Sequence, residues 1–151
     1  MESCCAIEPE TPPREPGLSS PAVPRSASLH LGNLHRERGD CEGAEVGYRK
    51  ALERNPDHGS LHAMLGALLA TKGDYTAAEQ CHRAAIRCSK EDVKDEAYLN
   101  LGLVLRAQER YAEARASFSE AIALTPDYPE AIAALHDVQR AMAYLQSKGD
   151  S

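Results

Sequence analysis

The sequence predicts an all-α fold built from helical hairpins, on three observations. The dipeptide Leu-Gly recurs as Leu31-Gly32, Leu65-Gly66 and Leu101-Gly102, at separations of 34 and 36 residues. Twelve residues after each Gly stands an Ala (Ala44, Ala78, Ala114), and seven residues further a second one (Ala51, Ala85, Ala121). The chain has no Trp and a single Phe, while Ala, Leu and Arg recur after residue 25, a composition that favours closely packed helices. A period of this length marks a repeat architecture, in which each unit is one supersecondary element that buries its apolar face against its neighbours.

Taken in order, residues 1–24 come first. They hold Pro9, Pro12, Pro13, Pro16, Pro21 and Pro24, and besides the starting Met only Ile7, Leu18 and Val23 as sizeable apolar side chains. Such a segment cannot bury enough surface to offset its ordering entropy, so a flexible, partly polyproline-like arm is expected. Its P-x-x-P spacings at Pro13 to Pro16 and Pro21 to Pro24, and Thr11 and Ser20 before Pro, fit a linker better than a proline-reading or phosphorylation motif.

Three units follow, at about 25–58, 59–94 and 95–128. Between the paired alanines lies an aromatic or imidazole side chain, Tyr48, His82 or Phe118, and Pro56 and Pro126 close the first and third units. Together these offsets resemble the tetratricopeptide repeat (TPR) signature, over roughly residues 25 to 145. The resemblance implies two antiparallel helices per unit, A and B, with the A-helix Gly facing the first Ala of helix B where the backbones come closest. The second Ala is then expected where helix B meets the next helix A, with the aromatic filling the wider gap between. Gly39-Asp40, Gly73-Asp74 and Glu109-Arg110 fall at the A-to-B turns, each followed closely by an acidic residue suited to the start of helix B. Asn55-Pro56 and Thr125-Pro126 end helix B, because the residue before Pro disfavours helical torsions.

The third unit matches the family pattern best, with Tyr98, Leu101, Gly102, Ala114, Phe118, Ala121 and Pro126 in place. The second departs most: His62 stands in the Trp slot, His82 in the Phe slot, and two extra residues fall within 88–95. Unit one has Ser28 in its Trp slot. From Pro129 a fourth unit begins, but His136 occupies the Gly slot and no helix B follows. Ile132, Leu135, Val138, Met142 and Leu145 make one apolar stripe, so 129–146 is read as a capping helix and 147–151 as a flexible tail.

Several function classes are set aside. The chain carries 17 basic and 23 acidic residues, interspersed, for a net charge of −6, and no basic stripe of the kind nucleic acid requires. No run of 18 apolar residues would span a membrane, and the acidic start lacks a signal-peptide core. Five cysteines without framework spacing fit reduced thiols, and a cytoplasmic or nuclear protein is expected. The common phosphate-binding, zinc-protease and nucleophile-elbow motifs are absent, so no catalytic residue and no cofactor is assigned. His58, His62, Cys81 and Cys88 have spacings that invite zinc, but packing or surface roles suit them better, and His82 reads as a core histidine. Cys4-Cys5 lacks the glycine needed for a neighbouring myristoyl signal.

In the family the A helices line a concave surface. The resemblance therefore implies a groove formed by Leu29, His30, Asn33, Arg36 and Glu37 in unit one. Unit two adds Ala63, Met64, Ala67, Ala70 and Thr71, and unit three adds Leu99, Asn100, Leu103, Arg106 and Ala107. TPR co-chaperones that grip acidic chaperone tails use a five-residue carboxylate clamp of Lys, Asn, Asn, Lys and Arg. The corresponding positions here are Leu29, Asn33, Met64, Glu96 and Asn100. Only Asn33 matches, and Glu96 carries the wrong sign for a carboxylate. The expectation is an interaction module or adaptor that binds an apolar peptide or helix of a partner protein. The alternatives are a co-chaperone or assembly factor shielding a client, and a regulatory subunit of an enzyme complex; self-association is open.

Overall fold

A computed structural model describes residues 32–88 and 92–150. The Pro-rich arm, and with it Leu29, His30 and Ser28, lies outside the described residues. Seven helices and no strand occur among them: α1 (32–37), α2 (Cys41–Arg54), α3 (Gly59–Thr71), α4 (Tyr75–Arg87), α5 (Lys94–Ala107), α6 (Tyr111–Leu124) and α7 (Pro129–Gly149). The chain divides into two compact units, Met1–Asn55 and Pro56–Ser151.

In the first unit, α1 and α2 form one hairpin. Gly39 turns the chain with φ 78°, a torsion that side chains disfavour. Asp40 caps α2 by accepting from the Gly43 N–H at 2.9 Å, and its other oxygen lies 2.8 Å from His35 Nδ1. That backbone bond, with His35 beside it, holds the Asp40 carboxyl below its ordinary pKa. Tyr48 is fully buried, its ring against Gly32, and its hydroxyl donates to Asn33 Oδ1 at 2.6 Å.

The second unit contains two further hairpins, α3–α4 and α5–α6, and then α7 packed on α6. Asp74 caps α4 by accepting from the Ala77 N–H at 3.2 Å, and α4 has no acidic residue inside its first turn, unlike α2 and α6. At the third turn the left-handed position is filled by Glu109, φ 61°, where the first two hairpins use glycine. Glu79 of α4 ties this turn down. It accepts from Arg83 at 2.7 Å, from Gln108 at 3.2 Å and from Arg110 at 2.7 Å, while Arg110 also holds Glu113.

The nearest neighbour of each glycine is a ring. A Cβ placed on Gly66 would stand 2.7 Å from the His82 ring, one on Gly32 would stand 2.8 Å from the Tyr48 ring, and one on Gly102 would overlap the Phe118 ring. The glycine is therefore a notch for the aromatic of its own hairpin, with the first alanine's backbone close beside it at Gly32, where the Ala44 carbonyl would stand 3.3 Å from a Cβ. A flat ring reaching across from helix B needs the whole space that a side chain on helix A would fill. Two of the second alanines behave as expected: Ala85 clusters with Ala63 and with Ala97 of the next helix A, and Ala121 shares a core with Ala131 of α7.

The sealing helix also differs in detail. Its buried residues are Ala131, Ala134 and Val138, with Leu135 and Met142 packed alongside, whereas Leu145 is 51% exposed. Small side chains let α7 approach α6 closely, and a count of large apolar residues does not see them. The helix runs on to Gly149, so residues 147–149 form its last turn in place of the expected flexible tail.

Candidate protein-interaction face

The second unit gathers the groove residues of α3 and α5 and adds others from α7. Successive helices joined by short turns alternate in direction, so α3, α5 and α7 run parallel, with α3 touching α5 and α5 touching α7. On this face Met64, Asn100, Leu103 and Arg106 are partly exposed, and Ala67 is exposed. Ala63 and Leu99 are not surface: they are 7% and 8% exposed and belong to the core clusters between neighbouring helices. Each stands three residues before the notch glycine of its helix, and both hold the face together from beneath. Ala70 is partly buried, and Thr71 and Ala107 are exposed.

Asn33 belongs to the first unit, where it is half-buried with its amide oxygen engaged by Tyr48. Its NH2 group and the second lone pair of the amide oxygen remain to meet a ligand. The Tyr48 hydroxyl is in turn held above its ordinary pKa, first by burial, then by Glu37 against the opposing pull of Arg36. Arg36 and Glu37 are exposed on α1.

Sequence reasoning missed the contribution of α7. Ala133, Asp137 and Arg140 stand thirty-four residues after Leu99, Leu103 and Arg106, so the period itself carried the signal. A shallow concavity of about 660 Å3 lies there, lined by Ala133, His136, Asp137, Gln139, Arg140 and Ala143. Arg106 Nη1 lies 3.9 Å from Asp137 Oδ2, and Arg140 pairs with the other Asp137 oxygen at 2.5 Å.

The charge in the first turns of α5 and α7 has the other sign. Glu96 and Glu130 are exposed in the first turns of α5 and α7. Tyr128 lies between them; its hydroxyl is held above the ordinary pKa, first by burial and then by Glu96, Asp95 and Glu130. Asp95 itself accepts from the Thr125 hydroxyl at 2.5 Å.

The histidines and cysteines do not converge. His62 Nε2 lies 2.8 Å from the Pro56 carbonyl, His82 is enclosed opposite Gly66, and among the described residues no group of three His, Cys, Asp or Glu could hold a metal ion. His82 is fully buried and neither ring nitrogen has a hydrogen-bond partner, so burial lowers its pKa from 6.5 to about 4. No helix among the described residues is long and apolar enough to cross a membrane.

The hairpins, their glycine notches and the closing helix define a helical-repeat scaffold. Profiles of the tetratricopeptide repeat match residues 29–93 and 95–128, and the chain belongs to that family. It is 34% identical over 106 residues to the type IV pilus assembly protein PilF of Pseudomonas aeruginosa, covering 70% of this chain but 41% of that protein. Among solved structures, the Arabidopsis OM64 TPR domain superposes with TM-score 0.72 at 25% identity, covering 78% of this chain and 95% of that one. The first TPR of Spaghetti (RPAP3), solved bound to the HSP90 peptide SRMEEVD, has TM-score 0.72 at 22% identity, covering 80% and 97%, a likeness of fold alone. The fold is that of a protein–protein interaction module.

Proposed function

We propose that this chain is a non-catalytic adaptor that holds a segment of a partner protein on the face formed by α3, α5 and α7. The observation that carries the reading is the run of Met64, Leu103, Asn100 and Arg106, partly exposed on adjacent parallel helices and continued by the concavity on α7. A polarisable, three-torsion methionine beside a leucine accommodates apolar side chains of several shapes. Buried Ala63 and Leu99 fix the helices beneath, so the face is preformed and a ligand need not order it.

The acidic-tail mode of the Spaghetti domain is not carried over. Met64, Glu96 and Asn100 stand where the clamp requires amide and cationic groups, and Glu96 repels a terminal carboxylate. The relation to a pilus assembly protein favours one second reading, an assembly factor that shields an apolar client segment. That role predicts suppressed client aggregation and weak sequence preference. The five cysteines suit a reducing compartment such as the cytoplasm.

The test is affinity capture with the wild type and a Met64→Glu, Leu103→Glu variant matched for helicity and melting temperature. Partners held by the wild type should be lost from the variant. Undiminished capture by a folded variant would move binding away from this face.

A further inference from the structure

We propose that the segment held on this face is an amphipathic helix lying antiparallel to α3, α5 and α7, acidic in its first turn and basic in its last. The proposal rests on the binding face assigned above and adds the conformation, direction and charge of its occupant.

The face is electrically polarised along the helix axes. Glu96 and Glu130, with Asp95 behind them, stand at the N-terminal end around Tyr128. At the C-terminal end of α5, beside the middle of α7, two cations share one anion: Arg106 and Arg140 both approach Asp137, which leaves that side of the face net positive. The Arg140 side chain is 80% exposed, so most of its charge faces outward. Ten residues separate Glu96 from Arg106 and Glu130 from Arg140, which sets the two ends about 15 Å apart along the axis.

Between them the floor is Met64, Ala67, Leu103 and Ala133. Asn100 is the amide side chain beside Leu103, and Gln139 stands at the α7 edge of the floor. An extended peptide spanning about 15 Å brings four to five residues. Roughly half of their N–H and C=O groups would face that floor with only the amides of Asn100 and Gln139 to answer them. A helix satisfies its own backbone groups and presents only side chains, so it is the conformer that an apolar floor accepts with least loss.

Direction follows from charge. Helices favour acidic residues in the first turn and basic residues in the last, because these complement the macrodipole. Laid antiparallel, such a helix sets its acids against Arg106 and Arg140 and its bases against Glu96 and Glu130, and its dipole opposes those of the three helices beneath. Laid parallel, it meets like charge at both ends. The same preference accounts for Glu96, Arg106 and Glu130 in their own helices; what the stacking adds is their summation from α5 and α7 into one field.

The probe is a phage-displayed library of sixteen-residue helical peptides selected on the full chain, followed by fluorescence anisotropy. Enriched peptides and their charge-inverted counterparts are titrated against the wild type and against Glu96→Lys, Glu130→Lys, Arg106→Glu, Arg140→Glu, with circular dichroism verifying the fold. The wild type should prefer the acid-first peptide by about tenfold, the variant should reverse that order, and salt should narrow both differences. Equal binding of both polarities, or enrichment of Pro-interrupted extended sequences, overturns the antiparallel helix. If those binders are still abolished by Met64→Glu and Leu103→Glu, the binding face itself stands. Binders indifferent to those two changes, or none above background, refute the face as well. A dimer in sedimentation that the peptide fails to dissociate replaces the helix with a second copy of this chain.

Discussion

Replacing His82 with Phe should stabilise the protein and remove part of its acid sensitivity. The imidazole is fully buried against the Gly66 notch with both nitrogens unpartnered, and Phe118 occupies the equivalent notch of the next hairpin. Relieving one buried, unsatisfied polar group is worth about 1–3 kcal/mol, from which the bulkier ring takes back about 1 kcal/mol in crowding. A net gain of about 1 kcal/mol is expected near neutral pH, visible as a rise of a few degrees in Tm. The pH dependence is the sharper signature. The folded pKa, about 4, lies below the unfolded 6.5, so the unfolded chain binds more protons between those values. The neutral-state stability is therefore fully present above about pH 6.5 and is lost as pH falls toward 4. Linkage over that window puts the loss between about pH 7.5 and 5 at roughly 2 kcal/mol, an order-of-magnitude figure. Urea titrations followed by circular dichroism at those two pH values, on wild type and His82→Phe, isolate the effect because the carboxylates titrate in both. If the two proteins lose the same stability on acidification, the imidazole is not held neutral in the fold and the reasoning fails.

Other outcomes can be checked on the same samples. Gly102→Ala should cost about 1–3 kcal/mol by driving a methyl into the buried Phe118 ring; an unchanged urea midpoint would contradict the notch. Glu109→Gly should gain about 0.5–1 kcal/mol by relieving a left-handed torsion at a turn where Gly39 and Gly73 already sit, read as a higher Tm. Glu79→Ala should destabilise by about 1–3 kcal/mol, since it removes the acceptor shared by Arg83, Gln108 and Arg110. Burial raises the Glu79 pKa, but those three donors outweigh it and leave it lowered. Its contribution is thus present above the unfolded carboxylate range and lost as pH falls through the lower folded value, and the Ala variant should lack that part of the acid transition.

The repeat register was legible because it is written in residues with little freedom. Glycine opposite a ring and glycine at a left-handed turn leave fixed offsets that survive substitution everywhere else. Glu109 shows the limit, since an ordinary residue accepted that torsion once Gln108 and Arg110 were anchored on Glu79. What the pattern hid was which apolar side chains point sideways. Ala63 and Leu99 share the helical face of Met64 and Leu103, yet packing from the adjoining helix buries them. Asn33 looked like a ligand amide and is half spent on Tyr48, a bond that no spacing rule encodes. The extension of the face onto α7 was written in the period but obscured by the reading of that helix as a seal.

Each ring finds its glycine sixteen residues away in all three hairpins. The contacts that fix each pair are therefore made over a short stretch of chain, and closing such a loop costs little entropy beyond that of the turn. Topologies rich in local contacts fold quickly, and repeat proteins lose structure unit by unit instead of all at once. The same geometry sets where the sequence tolerates change. One residue added within the sixteen throws the ring off its glycine, whereas the span from Cys88 to Asp95 already carries two more residues than the family spacing, with the hairpins on either side intact.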